Sequence, residues 1–167
     1  MFVKFLRESK IAAIVLLIFR LYLGYKWFTS GWGKITSGGF DPSGFLHGAV
    51  ANARGDNPTV QGWWASFLEV FAIPNAGLFG FLVMWGETLV GIALIVGIFT
   101  TLASLMGTIM NFAFLFSGTV SVNPQMLLLT IFVLVAGRNA GRYGLDYYIN
   151  PYLRQKFGRA KGPIEQP

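Results

Sequence analysis

The sequence predicts an all-α integral membrane protein: a four-helix bundle with short interfacial helices in its long first extracytoplasmic connection. Three observations carry that prediction. The chain of 167 residues is 54% hydrophobic and 12% charged, whereas soluble domains carry about a quarter charged residues. Its apolar residues gather into long runs rather than alternating or spreading. Its basic residues sit at the ends of those runs, which is where membrane topology places them.

The first span is read at 11–28, an apolar stretch behind Lys4, Arg7 and Lys10. A secretory leader would share that basic start, but Tyr25, Lys26 and Trp27 stand where a small-residue cleavage site would fall, so the segment is expected to remain as a helix. The second span is read at 78–99, the third at 101–116 and the fourth at 120–137. Almost nothing separates the second from the third, which makes them antiparallel neighbours. Asn123 and Pro124 suit the start of the fourth, as a cap followed by a first helical proline.

Lys4, Arg7 and Lys10 precede the first span, and Arg138, Arg142, Arg154, Lys156, Arg159 and Lys161 follow the last. The two tight connections have no basic residue. Both termini are therefore expected on the cytoplasmic side, an outcome that demands an even number of spans. Residues 1–167 form one membrane domain on this reading, with a cytoplasmic tail at 138–167.

The first connection, 29–77, is too long for a turn and too apolar for disorder. Asp41 and Pro42 resemble a helix start for Ser43 to Asn52, and Thr59 to Ile73 is rich in aromatic residues. Both segments are expected as short helices at the outer interface, with aromatic faces toward lipid or the mouth of the bundle.

Cysteine is absent and His47 is the only histidine. No disulfide, thiolate nucleophile or Cys-ligated cluster is available, a bis-His haem cannot form within one chain, and no metal or haem site is expected. The net charge of +6 forms no continuous basic stripe, so nucleic acid is not an expected partner.

Arg20 lies inside the first span and Glu87 inside the second, where a lone charge is costly and commonly marks a functional path. At 1.5 Å per residue, Arg20 lies about 12 Å from Phe28 and Glu87 about 13.5 Å from Leu78. The two are therefore expected at one depth and paired across antiparallel helices, either as a ligand-binding or proton-relaying centre or as a staple that sets register. Arg20, Gly24, Trp27, Gly31 and Lys34 form one stripe on the first helix; Gly80, Met84, Glu87, Gly91 and Leu94 form another on the second. Ser104, Thr108 and Asn111 make a polar stripe on the third. Lys34 stands at the outer end of its stripe, suited to an anion or a quinone oxygen, while snorkelling is the ordinary role for Lys26. His47 is expected as an interfacial residue, the rarer reading being proton exchange with a quinone, and Asp146 as the cap of an amphipathic segment from Tyr147 to Gln155.

Three motifs in this order, Arg20-x3-Gly24-x6-Gly31-x2-Lys34, Gly86-Glu87-x3-Gly91-x5-Gly97-x2-Thr100 and Gly141-Arg142-x3-Asp146, resemble the DoxX family of prokaryotic four-helix membrane proteins. The resemblance includes its DoxD branch, the membrane subunit of thiosulfate:quinone oxidoreductases. It implies a quinone-linked oxidoreductase, or its membrane subunit, in a prokaryotic cell membrane, with thiosulfate or another small sulfur compound as donor. It further implies Arg20 and Glu87 as the central polar pair, Lys34 and Asn111 as ligand contacts beside Trp27, and a partner subunit or homo-oligomer that supplies what one chain lacks. A small-molecule or anion carrier and a non-catalytic membrane scaffold are the competing readings of the same charges.

Overall fold

The computed structural model describes residues 1–54 and 56–157, the latter without the side chains of 153–157. Among the described residues, all regular structure is helical. Helix α1 spans Phe2–Glu8, α2 Lys10–Thr36, α3 Ser43–Ala51, α4 Gly62–Phe67, α5 Ala76–Val96, α6 Thr100–Phe116, α7 Asn123–Ala136 and α8 Asp146–Phe157. A π-helical turn, Leu68–Ala72, continues α4, and a 3₁₀ turn, Gly137–Gly141, continues α7.

Among the described residues, three helical stretches are long and apolar enough to cross a membrane: Lys10–Thr36, Ala76–Val96 and Asn123–Gly141. Helix α6 is apolar but shorter, with 17 residues, which is the lower end of what a bilayer core requires. The four-span bundle expected from hydropathy is thus present. Its surface is inverted relative to a soluble protein. Ile11, Ile14, Ile18, Phe81, Leu89 and Ile109 point outward, whereas Arg20, Glu87, Thr100, Ser104, Asn111 and Thr130 are buried.

Each boundary has a local cause. Ser9 caps α2 by accepting from the backbone of Ile11 and Ala12, so the basic N-terminal segment folds as the separate helix α1. α5 ends at Gly97, whose φ of 72° suits a residue without a side chain, and Phe99 also adopts a left-handed φ of 48°. These two residues reverse the chain into α6 almost without a loop. Asp41 accepts from the amide and hydroxyl of Ser43 and opens α3 where the sequence placed its start.

The first helix is longer than hydropathy suggests. Reading its end at Phe28 followed the polar cluster Thr29 to Gly33, but Thr29 and Thr36 return their hydroxyls to backbone carbonyls one turn back, and the helix runs on to Thr36. Helices α2 and α5 pack antiparallel at backbone contact. A Cβ on Gly31 would lie 2.5 Å from the backbone nitrogen of Thr88, and one on Gly91 would collide with the backbone of Phe28.

The connection between α2 and α5 folds over one end of the bundle. Leu46, Ala49, Val50, Val60, Ala65, Leu68 and Ala72 form a small core of its own, joined by Trp64 and Phe79. The indole of Trp64 donates to Ser117 Oγ at 2.9 Å, which ties this cap to α6. The other end carries α1, the 3₁₀ turn and α8. These two ends are called the loop end and the terminal end. Arg159 and Lys161 of the expected tail lie outside the described residues, as do the side chains of Arg154 and Lys156.

Candidate functional site

Arg20 and Glu87 do not pair. Because α2 extends to Thr36, its register against α5 places Gly31 beside Thr88, Phe28 beside Gly91 and Arg20 beside Gly97. Glu87 is consequently level with Lys34, about 21 Å along the helix from Arg20 at 1.5 Å per residue. Both expected buried charges are buried, but in different places and with different partners.

At the terminal end, Arg20 donates to the carbonyl of Ala140 at 3.1 Å and to that of Tyr143 at 2.8 Å. Nearby, the Asp146 carboxylate accepts from the backbone N–H of Phe99 and of Thr100, each at 2.8 Å. Asp146 therefore caps α6 and not α8, which corrects the role expected from its place ahead of Tyr147. The carboxylate sits on the positive end of the α6 dipole and holds the left-handed Phe99 in place. The second and third motifs thereby become one structural unit, a latch joining the α5–α6 reversal to the segment after α7. The hydrogen bonds that these two side chains make all go to protein backbone, while Arg20 Nε is buried without a partner.

The loop end is arranged differently. Lys34 Nζ lies 2.5 Å from Glu87 Oε2 and 2.8 Å from Ser30 Oγ, with the Phe40 ring 5.3 Å away on its cation-attracting face. The Glu87 side chain is 2% exposed and that of Lys34 is 22% exposed, so the carboxylate is sealed within the bundle while the ammonium reaches it from the rim. They form the base of a cavity of about 470 Å³, walled by Lys26, Trp27, Thr119, Ser121, Asn123 and Met126 among others. Binding pockets for small organic molecules span about 300–1,000 Å³. Phe45 and Phe114 separate this cavity from one of about 120 Å³ beneath the aromatic cap, apolar but for Ser117.

Trp27 has an indole N–H that is buried and has no hydrogen-bond partner, an arrangement suited to a ligand or ordered water. Lys26 lines the cavity with its Nζ 5.8 Å from the Tyr22 ring. Trp27, Lys34 and Glu87 are therefore brought together, while Arg20 belongs to the latch. Asn111 is fully buried and lines neither cavity. His47 is exposed on α3 and is not part of the wall. Sequence reasoning missed Ser30, Asn123 and the Thr119–Val122 turn. Their only signal was polarity beside an apolar run, which equally describes any helix end. A larger open groove, about 820 Å³, lies at the terminal end between Arg7, Arg138, Arg142, Tyr147 and Tyr148.

A multi-pass bundle with a partly buried ion pair on a cavity beneath an aromatic cap is the class that fold and site define. The DoxX family model matches residues 15–120, from α2 to the turn before α7, and the chain belongs to the DoxX family. It is a multi-pass membrane protein. The Gly141-Arg142-x3-Asp146 motif lies beyond the matched residues. No curated protein and no solved structure matches the chain.

Proposed function

We propose that this protein is a quinone-binding membrane subunit of an oxidoreductase resembling the DoxD branch, in a prokaryotic cell membrane with both termini cytoplasmic. The observation that carries the reading is the Lys34–Glu87 pair at the base of a cavity that Trp27 also borders. Quinone carbonyls need donors and no acceptor, and Lys34 and Lys26 are donors around one space of suitable size, with the Trp27 ring beside them. The apolar cavity behind Phe45 and Phe114 suits ring substituents or the first carbons of a prenyl tail.

The charges favour this ligand over a dianion. Glu87 offsets Lys34, which leaves Lys26 as the excess cation among the charged groups of the wall. A thiosulfate ion in that space would face the Glu87 carboxylate, whereas a neutral carbonyl would not. Oxidation of a small sulfur compound is accordingly assigned to another subunit, with this chain holding the acceptor. When bound, the quinone supplies two-electron, two-proton redox chemistry. The chain's own part is to orient its carbonyl through Lys26 and Lys34, with the ring against Trp27, and to hold a proton on Glu87, released from Lys34. The cytoplasmic assignment of the termini draws on Arg7, Lys10, Arg138 and Arg142 gathered at the terminal end, by the positive-inside rule.

Titration of the protein in nanodiscs with short-chain benzoquinones and naphthoquinones, read by tryptophan fluorescence, tests the proposal. Saturable quenching that weakens in Lys34→Met and loses its Trp27 contribution in Trp27→Phe is expected. Absence of saturable binding, or substrate uptake into proteoliposomes that vanishes in Glu87→Gln, would replace it with the carrier reading.

A further inference from the structure

The basic residues of the terminal end are more ordered than membrane topology requires. The positive-inside rule asks only that Lys and Arg lie near the ends of spans on one side. Here Arg7 of α1, Arg138 of the 3₁₀ turn and Arg142 just beyond it line one open groove of about 820 Å³, whose wall also includes Tyr147 and Tyr148 of α8. An adjoining hollow of about 580 Å³ shares Arg142, Tyr147 and Tyr148 and adds Lys10.

Asn139 builds this cluster. Its side-chain amide donates to the carbonyls of Leu6 and Ser9 at 2.8 and 2.9 Å, and its carbonyl accepts from the backbone amide of Arg142. Arg7 Nε in turn donates to the Val135 carbonyl at 2.9 Å. These bonds pin α1 to the end of α7 and to the segment after it, so arginines from opposite ends of the sequence share one groove. The charges themselves stay unspent. Among the described residues the ion pairs are Lys34–Glu87 and Arg54–Glu69, so no carboxylate there offsets Arg7, Arg138 or Arg142. Asp146 also lines the groove, but its carboxylate is turned onto the amides of Phe99 and Thr100. Guanidinium groups held around one hollow repel one another until an anion enters. Their planar forks match the oxygens of a phosphate.

The surroundings identify whose phosphate it is. The two hollows lie where the first spanning helix begins and the last one ends, at the level of lipid headgroups. Tyr147 and Tyr148, both exposed, bring the amphipathic rings that settle at that level. Phe2, Val3 and Phe5 on α1 and Ile11 on α2 are exposed alongside Arg7 and Lys10, an apolar surface suited to acyl chains. We propose that the groove binds the phosphate of an anionic phospholipid from the terminal-side leaflet. Arg7, Arg138 and Arg142 hold the headgroup, and the acyl chains lie along α1 and the start of α2. The site is separate from the loop-end cavity and stands whatever that cavity holds.

Native mass spectrometry of the full-length chain, delipidated in detergent and titrated with phosphatidylglycerol or phosphatidylcholine, tests the site. Phosphatidylglycerol, the anionic lipid of the two, should bind preferentially. Arg138→Gln with Arg142→Gln should weaken it about thirtyfold, roughly fivefold for each basic residue removed. Arg138→Lys with Arg142→Lys keeps the charge but loses the planar fork, and should weaken binding as well. Lys4→Gln removes a charge from α1 outside the groove and should leave affinity at the wild-type value. Equal binding of the two lipids, wild-type affinity in either double variant, or an equal loss in Lys4→Gln would overturn the proposal. So would displacement of the lipid by millimolar inorganic phosphate, which would make the groove a site for a free anion. Exclusion of the lipid from wild-type protein by an assembled partner subunit would overturn it too, by making the groove a protein interface.

Discussion

The two ends of the bundle each set a basic residue near a buried carboxylate, and they use the two charges in opposite ways. At the terminal end, Arg20 and Asp146 spend their hydrogen bonds on backbone groups of Ala140, Tyr143, Phe99 and Thr100, and the chain closes around them. At the loop end, Lys34 and Glu87 bind each other at the base of a cavity, with Trp27 beside them unpartnered. Backbone partners cannot leave without unfolding the chain. A side-chain ion pair at a cavity can open and re-form, which is what a ligand or a proton requires. Charge burial alone therefore does not identify a site; the identity of the partner does.

Variants at each end should separate the two roles. Asp146→Ala removes two charge-assisted hydrogen bonds and leaves the left-handed Phe99 unsupported, at a cost of about 3–5 kcal/mol. Unfolding in detergent should show that loss, and wild-type stability would dissolve the distinction. Lys34→Met strands the sealed Glu87 carboxylate at a cost of about 3–5 kcal/mol if it stays ionised, less if it takes up a proton. Adding Glu87→Leu should recover stability to within about 1 kcal/mol of wild type while quinone binding stays lost. A double variant that still binds would reduce the loop-end pair to a staple.

Gly31→Ala presses a methyl onto the backbone of Thr88 and should cost about 1–3 kcal/mol, shifting the Lys34–Glu87 register and weakening binding. The smallest effect lies in the cap. Hydrogen bonds from Ser43 lower the Asp41 pKa, so the ionised form favours the folded loop. Its contribution is complete above the ordinary carboxylate value and fades as pH falls through the lowered one. Carboxyl NMR titration in Ser43→Ala should show the Asp41 midpoint moving up, with the global fold unchanged.

Hydropathy made the spans legible, because the bilayer leaves a backbone few alternatives and apolar runs of that length have one use. The inward stripes were legible too: Arg20, Gly24, Trp27 and Gly31 are all buried, as are Gly80, Glu87, Gly91 and Leu94. What could not be read was where α2 ends. Thr29, Ser30 and Gly31 look like a stop signal, yet in a packed membrane helix hydroxyls bond back to the helix and glycine is an interface residue. That misplaced end, about 12 Å at 1.5 Å per residue, accounts for more than half of the roughly 21 Å between Lys34, the true partner of Glu87, and Arg20. The Asp146 latch joins positions distant in sequence and left no local trace beyond a helix-start pattern that fitted α8 equally well.

The central claim is that the loop-end cavity, and not the terminal end, holds the ligand. Photo-crosslinking with an azido-quinone in the native membrane, followed by peptide mapping, tests it most directly. Labels are expected on Trp27, Phe114 or Met126, and excess unmodified quinone should suppress them. Labels confined to Tyr147, Tyr148 and Arg142 at the terminal end, or labels that excess quinone does not suppress, would contradict it.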